Sequence, residues 1–310
     1  MTAQANAKLS YEKLRSLFSF KSETIIRYSI IAVLIVLSGF VIWFNRVYAD
    51  PTRVFWGMVA NNLSTPGVTR ELIQKNNVVQ TDNLTRLCFG PQPMVRNLRK
   101  ISDNSSGVPG KITLESIANS KDVYQRYSFI DQPGSLGQKK PDYSKLYGLW
   151  LKNGGTNTNN GQIINSGLFG FLFFGNFSPT QKSILINYLK SKQIYSVDYA
   201  HVGKSSTGRR TYTYRVKLNP QNYINAARFY IKLLGLPKNN LVESSAVLGN
   251  LPTEAHISVD VLSREPTKIT YIGKNLTETF KAFGLNSPVS LPTHIVSLGD
   301  YQNALNSINQ

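Results

Sequence analysis

From Tyr28 to Phe44 the chain reads seventeen residues without a charge, closed by Arg27 on one side and by Asn45-Arg46 on the other. With Ile25 and Ile26 included and Arg27 reaching back to the interface, the run approaches about 20 residues, enough for one helix across a hydrocarbon core of about 30 Å. Trp43 and Tyr48 stand where an interfacial aromatic belt is expected. The preceding tail holds five basic and two acidic residues, so the positive-inside rule puts the N-terminus in the cytoplasm and everything after about Val47 outside. A cleaved signal peptide is the competing reading, because Val47-Tyr48-Ala49 offers the small residues of a cleavage site. The tail and the apolar run are both longer than such peptides usually have, which favours an uncleaved signal-anchor. The expected organisation is therefore a basic tail over residues 1–24, a transmembrane helix over 25–47 and one extracytoplasmic domain over 51–310.

That domain is long enough to bury its own core. Its single cysteine, Cys88, excludes an internal disulfide framework and a cysteine-based zinc site; it reads as a partly buried small hydrophobe, the other reading being an intermolecular bridge. The chain carries +18. The first 50 residues hold six basic and three acidic residues, so the remainder, with 29 basic and 14 acidic, still carries +15. Such a field favours an anionic partner, whether lipid headgroups, an acidic wall polymer or nucleic acid, although scattered bases are also what a solvated surface looks like.

Asp50-Pro51 reads as an N-cap with proline at the first helical position, opening a helix to about Ser64. From Val68 to Ile130, short apolar runs broken by Gly, Pro, Asn and Asp predict antiparallel strands. Residues 133–161, rich in Gly and Asn, read as a flexible insertion around an apolar island of Leu146, Tyr147, Leu149 and Trp150. Ser178-Pro179-Thr180-Gln181 is a capping box that opens a second helix. A short strand is expected near Val197. Tyr212, Tyr214, Val216 and Leu218 then alternate with Thr211, Thr213, Arg215 and Lys217, as a half-buried strand requires. Asn219-Pro220 caps a helix whose stripe is Tyr223, Ala226, Ala227, Tyr230, Ile231 and Leu234, stopped by Gly235. Strands around 255–261 and 268–271 follow, then a helix opening at Ser297. The expected fold class is α+β, an antiparallel sheet packed on helices, preceded by the transmembrane helix.

Catalytic chemistry is sparse. His201, His256 and His294 show no metal-ligand spacing, and His256 falls on the polar face of a strand. There is no nucleophile elbow, phosphate loop or zincin motif, so no enzyme and no cofactor are expected. Arg86, Arg96, Arg99 and Lys100 near Phe89 suggest a basic patch, but no RNA-binding signature accompanies them and no nucleic-acid partner is expected. The unusual stretch is apolar: Gly167 to Phe177 presents Leu168, Phe169, Phe171, Leu172, Phe173, Phe174 and Phe177, loosened by glycine. It reads either as a buried core strand or as a flexible lid lining a ligand cavity.

The run Tyr212 to Pro220, with the helix from Tyr223 to Leu236, resembles the strand-then-helix unit of LppX/LprG-type proteins. Ile257 to Val261, Pro266 to Thr270 and Phe283 to Pro292 are similar to that family's last strands, and Val54 to Leu63 resembles the opening helix of the wider LolA-like group. The resemblance implies a curved, unclosed half-barrel around helices with a hydrophobic cavity, and a role in carrying lipids or lipoproteins. A chain kept on a transmembrane helix does not shuttle, so binding or presenting an acyl chain is the expectation. The alternative is a structural or adhesion module that holds an acidic wall polymer or a partner protein.

Overall fold

The structure, a computed structural model, describes residues 25–104, 110–132, 141–152, 168–205, 207–236, 252–285 and 288–308. The tail over residues 1–24 lies outside them. The chain divides into two compact units, Met1–Arg53 and Val54–Gln310.

In the first unit, helix α1 spans Ile25–Tyr48, and its apolar side chains are uncovered. Its 24 residues extend about 36 Å at the usual helical rise, longer than a hydrocarbon core. The last turn, Phe44–Tyr48, loosens to a π-helix. Phe40, Trp43, Phe44 and Tyr48 pack their rings along this end, with centroids 5.4 to 6.3 Å apart. The interfacial aromatics of the sequence thus form one cluster. Asp50 accepts from the Arg53 amide at 2.9 Å and caps α2, Pro51–Asn62.

The second unit is built on one sheet. Its strands are β1 (Gly67–Lys75), β2 (Val79–Phe89), β3 (Pro93–Asp103), β4 (Gly110–Ala118), β5 (Val123–Asp131), β6 (Trp150–Lys152), β7 (Tyr195–Val197), β8 (Gly203–Ser205), β9 (Thr211–Leu218), β10 (Glu254–Asp260), β11 (Pro266–Tyr271), β12 (Leu276–Lys281) and β13 (Ile295–Val296). The helices are α3 (Pro179–Ser191), α4 (Pro220–Leu233) and α5 (Leu298–Asn306). The order across the sheet is β13-β6-β5-β4-β3-β2-β1-β12-β11-β10-β9-β7, with β8 also on β9. Every pairing is antiparallel except β13 with β6. Two meanders, β1 to β6 and β9 to β12, are joined by β1 pairing with β12. The path ends on two different strands, so the sheet is open and unclosed. It is the mostly antiparallel α+β arrangement the pattern predicts.

Alternation decides which side faces in. Tyr212, Tyr214, Val216 and Leu218 of β9 are buried, as are Ala255, Ile257 and Val259 of β10. Cross-strand register continues this inner face through Ile269, Phe280, Val68 and Leu87. Phe55 of α2 meets Tyr214 edge-on at 5.4 Å, and α4 buries Tyr223, Ile224, Ala226, Ala227, Tyr230 and Ile231. Ser178 caps α3 in a complete capping box, and Asn219 caps α4. Gly235, at φ +69°, ends α4 with the Leu236 amide reaching back to the Ile231 carbonyl at 3.2 Å, as in a Schellman motif. The outer face carries a second cluster of Cys88, Ile117, Tyr124, Trp150 and Val289. Cys88 is a buried member of it, 8% exposed.

Two parts differ from the sequence reading. Of the expected insertion at 133–161, residues 141–152 are described: Leu146 is buried in a 3-10 turn, and Trp150–Lys152 form β6 between β5 and β13. The apolar island has a core to join; residues 133–140 and 153–161, with Gly154-Gly155, lie outside the described residues. The sequence reading also lacks β8, β12 and β13, which are short or sit next to turns.

Gly67 opens β1 where a β-carbon would stand 2.6 Å from the Leu285 carbonyl oxygen and 3.2 Å from that of Leu87. Both obstacles are backbone. Gly67→Ala is therefore expected to cost about 1–3 kcal/mol of overpacking, read by urea denaturation. An unchanged midpoint would contradict this packing.

Candidate functional site

The apolar stretch is the best-defined feature of the interior. Leu168, Phe171, Leu172, Phe173, Phe174 and Phe177 are all buried, and Phe169 is half-buried. The segment is not a ladder strand; only Asn176 makes a bridge, to Ser64. A buried chain without a ladder must find other partners for its peptide groups. Tyrosine hydroxyls provide them: Tyr223 donates to the Gly170 carbonyl at 2.5 Å, Tyr195 to Phe171 at 2.9 Å and Tyr230 to Phe174 at 2.5 Å. The Arg70 guanidinium reaches the Phe169 carbonyl at 3.3 Å. In return the amides of Gly175 and Phe177 donate to the carbonyls of Asn62 and Leu63 at 2.9 and 3.0 Å.

The rings pack in the same layer between α4 and the sheet. Phe173 lies 5.0 Å from both Tyr223 and Tyr230, Phe171 contacts Tyr195 and Tyr271, and Phe174 contacts Phe280 at 5.4 Å. All seven positions are thus brought together as a strap between helix and sheet. The sequence reading places Tyr223 and Tyr230 in the buried stripe of α4 but gives them no part in holding this segment, and it does not single out Tyr195, Arg70 or Glu278. Seven-residue spacing puts Tyr223 and Tyr230 on one helix face, which was a usable signal; the charges beneath them gave none. Arg70 and Glu278 are 5% and 4% exposed, and Tyr271 donates to Glu278 at 2.6 Å. Gly170 leaves room for them, since a β-carbon there would lie 2.6 Å from Arg70 Nη1 and 3.9 Å from Glu278 Oε1.

Burial raises the phenols of Tyr195, Tyr223, Tyr230 and Tyr271 above the ordinary tyrosine value, and the Glu278 carboxylate adds to the rise at Tyr271. An acid whose folded value is raised supports folding below its unfolded value and withdraws that support as pH climbs. The domain is therefore expected to lose stability progressively above about pH 10, the free phenol range. Chemical denaturation across alkaline pH checks this; a flat profile there would contradict the buried phenols.

Beyond the strap the inner face opens in steps. Val68, Leu87, Val95, Ala118 and Val123 face one another across β1 to β5, all buried. The next row is polar, with Arg70, Thr85, Asn97, Ser116 and Gln125 in register. After it come Leu72, Asn83, Arg99, Leu114 and Tyr127, then Gln74, Thr81, Ile101, Ile112 and Ile130. Here Leu72, Leu114, Tyr127, Ile101 and Ile112 are only half-buried. Asn83 Oδ1 is enclosed and meets no donor among the described residues.

The basic patch suggested by Arg86, Arg96, Arg99, Lys100 and Phe89 does not assemble. Arg86 pairs with Arg96 on the outer face, while Arg99 lies on the inner face and Phe89 is buried. Arg96 and Arg126 instead clamp Glu115, at 2.5 and 2.6 Å. Among the described residues no group of three or more His, Cys, Asp or Glu side chains is placed to hold a metal. His294 is exposed, whereas His201 and His256 line one outer-face crevice.

No protein-family model matches the sequence, and no curated protein matches it. Among solved structures the chain is similar to LprF from Mycobacterium bovis, at 11% identity and a TM-score of 0.38, over 80% of this chain and 98% of that one.

Proposed function

We propose that this chain is a membrane-anchored, non-enzymatic binding domain for an amphiphile, a lipid or a lipoprotein acyl chain. α1 crosses the membrane once, with the N-terminus cytoplasmic and the domain over 51–310 extracytoplasmic. The support comes from the inner face of β1 to β5, where apolar side chains continue past a polar row and stop being covered. An acyl chain laid along Leu72, Ile101, Ile112 and Leu114 removes that surface from water, at about 25 cal/mol per Å2. Asn83 and Arg99, between Leu72 and Leu114 in the same row, supply polar contacts within this path. The strap of Leu168, Phe169, Phe171, Leu172, Phe173, Phe174 and Phe177 is the closed end of this site, with half-buried Phe169 at its rim. Fluorescent fatty-acid uptake by the chain without residues 1–49 tests the reading. Ile112→Glu is expected to weaken uptake at least about tenfold, since it places a carboxylate in the apolar path. Leu84→Glu, at an exposed outer-face position, is the control. Equal uptake by both variants and the parent would refute the inner-face site.

A second reading, a structural module for an acidic wall polymer or partner protein, is favoured by the strap itself, because its own side chains fill the space beneath it. Salt-sensitive retention on isolated wall polymer with no acyl-chain uptake would select it.

A further inference from the structure

The outer face of β9 and β10 carries cations that the inner-face site does not use. Thr213, Arg215 and Lys217 of β9 lie opposite Ser258, His256 and Glu254 of β10. The 198–203 turn passes beside them and leaves a crevice of about 430 Å3 lined by Asp198, His201, Gly203, Thr213, Arg215 and His256. A second crevice of about 230 Å3 runs along the other side of Arg215, where Lys217 joins the lining.

Three features make this a receptive place for an anion. Arg215 is pinned by its Nε to Glu254, and no acceptor among the described residues takes its two terminal nitrogens. The Asp198 carboxylate, the negative group in the lining, is occupied within its own turn: it accepts from the amides of Ala200 and His201 at 3.1 Å and lies 3.0 Å from His201 Nδ1. Thr213 shares a 2.9 Å hydrogen bond with Ser258, which holds its hydroxyl at the crevice wall. A fixed guanidinium presents a two-pronged donor suited to an oxyanion. The hydroxyl and two imidazoles add donors from other directions. A tetrahedral oxyanion presents acceptors towards all of these directions, whereas a carboxylate offers two oxygens in a single plane.

We infer that this crevice binds a phosphate group, with Arg215 as the principal contact and His256, His201 and Thr213 around it. The site lies on the face of the sheet opposite to the acyl-chain site and does not depend on it. Lys217, and Lys268 opposite Ser258, extend the positive field along the same face.

Titration of the full chain, held in an uncharged detergent, with inorganic phosphate tests the inference through the ring C–H resonances of His201 and His256. Saturable shifts at millimolar phosphate are expected. Arg215→Lys keeps the charge but loses the fork, and is expected to weaken binding about fivefold to tenfold. His256→Gln, at an exposed position, is the second variant and is expected to weaken binding less. Glycerol 3-phosphate and phosphatidylglycerol-containing vesicles, each set against phosphate-free counterparts, tell a soluble phosphate from a lipid headgroup; competition by either supports the site. Shifts that never saturate, or that are the same in Arg215→Lys as in the parent, overturn it and leave only a general charge effect.

Discussion

Phe174→Ala is expected to destabilise the domain by about 3–5 kcal/mol, the usual cost of removing a fully enclosed ring that cannot be refilled. Phe174 is 1% exposed, sits against Phe280 and belongs to a segment with three carbonyls tied to tyrosine hydroxyls. Collapse around the gap is blocked because the helix above and the sheet below are both anchored through the same segment. In a unit of this size the loss corresponds to a fall in melting temperature of roughly 10 °C. Phe169→Ala, at a half-buried position, is expected to cost much less. Calorimetry of the two variants beside the parent checks both. A cost below about 1 kcal/mol at Phe174 would mean that the ring is not packed, and the strap would then be a loose flap.

Removing residues 1–49 is expected to move the protein completely from the membrane pellet to the soluble fraction, with the melting of the domain unchanged. The apolar side chains of α1 are uncovered and the helix is long and apolar enough to cross a bilayer; under the proposed anchoring, its insertion is effectively irreversible. The full chain is expected to resist extraction by high salt and alkaline carbonate, which strip proteins held only by charge. The mass of the membrane-bound form separates an anchor from a signal peptide. An intact N-terminus supports the anchor; cleavage after Ala49 and release of the domain would contradict it.

Much of the fold was legible because it follows local rules. The caps at Asp50, Ser178, Asn219 and Ser297, the alternation in β9 and the stripe of α4 all appear where the pattern puts them. What was not legible depends on partners far away in sequence. Strand β6 has three residues and is a strand only because β5 and β13 flank it. The strap reads as a strand by composition, yet its peptide groups are satisfied by tyrosines 24 to 56 residues further along the chain, so no ladder is needed. Charged residues are ordinarily at the surface, so nothing in the sequence singles out Arg70 and Glu278, yet both are buried, Glu278 receiving the Tyr271 hydroxyl. For the site, the sequence singled out the Phe-rich segment but not the inner face of β1 to β5, because that face exists only once five strands are in register.

The most direct test of an amphiphile site is native mass spectrometry of the domain, residues 50–310, purified without detergent. The account predicts a bound lipid or acyl chain of defined mass, lost in Ile112→Glu and kept in Leu84→Glu. A domain that is fully folded, carries nothing and takes up no acyl chain when offered one would contradict it.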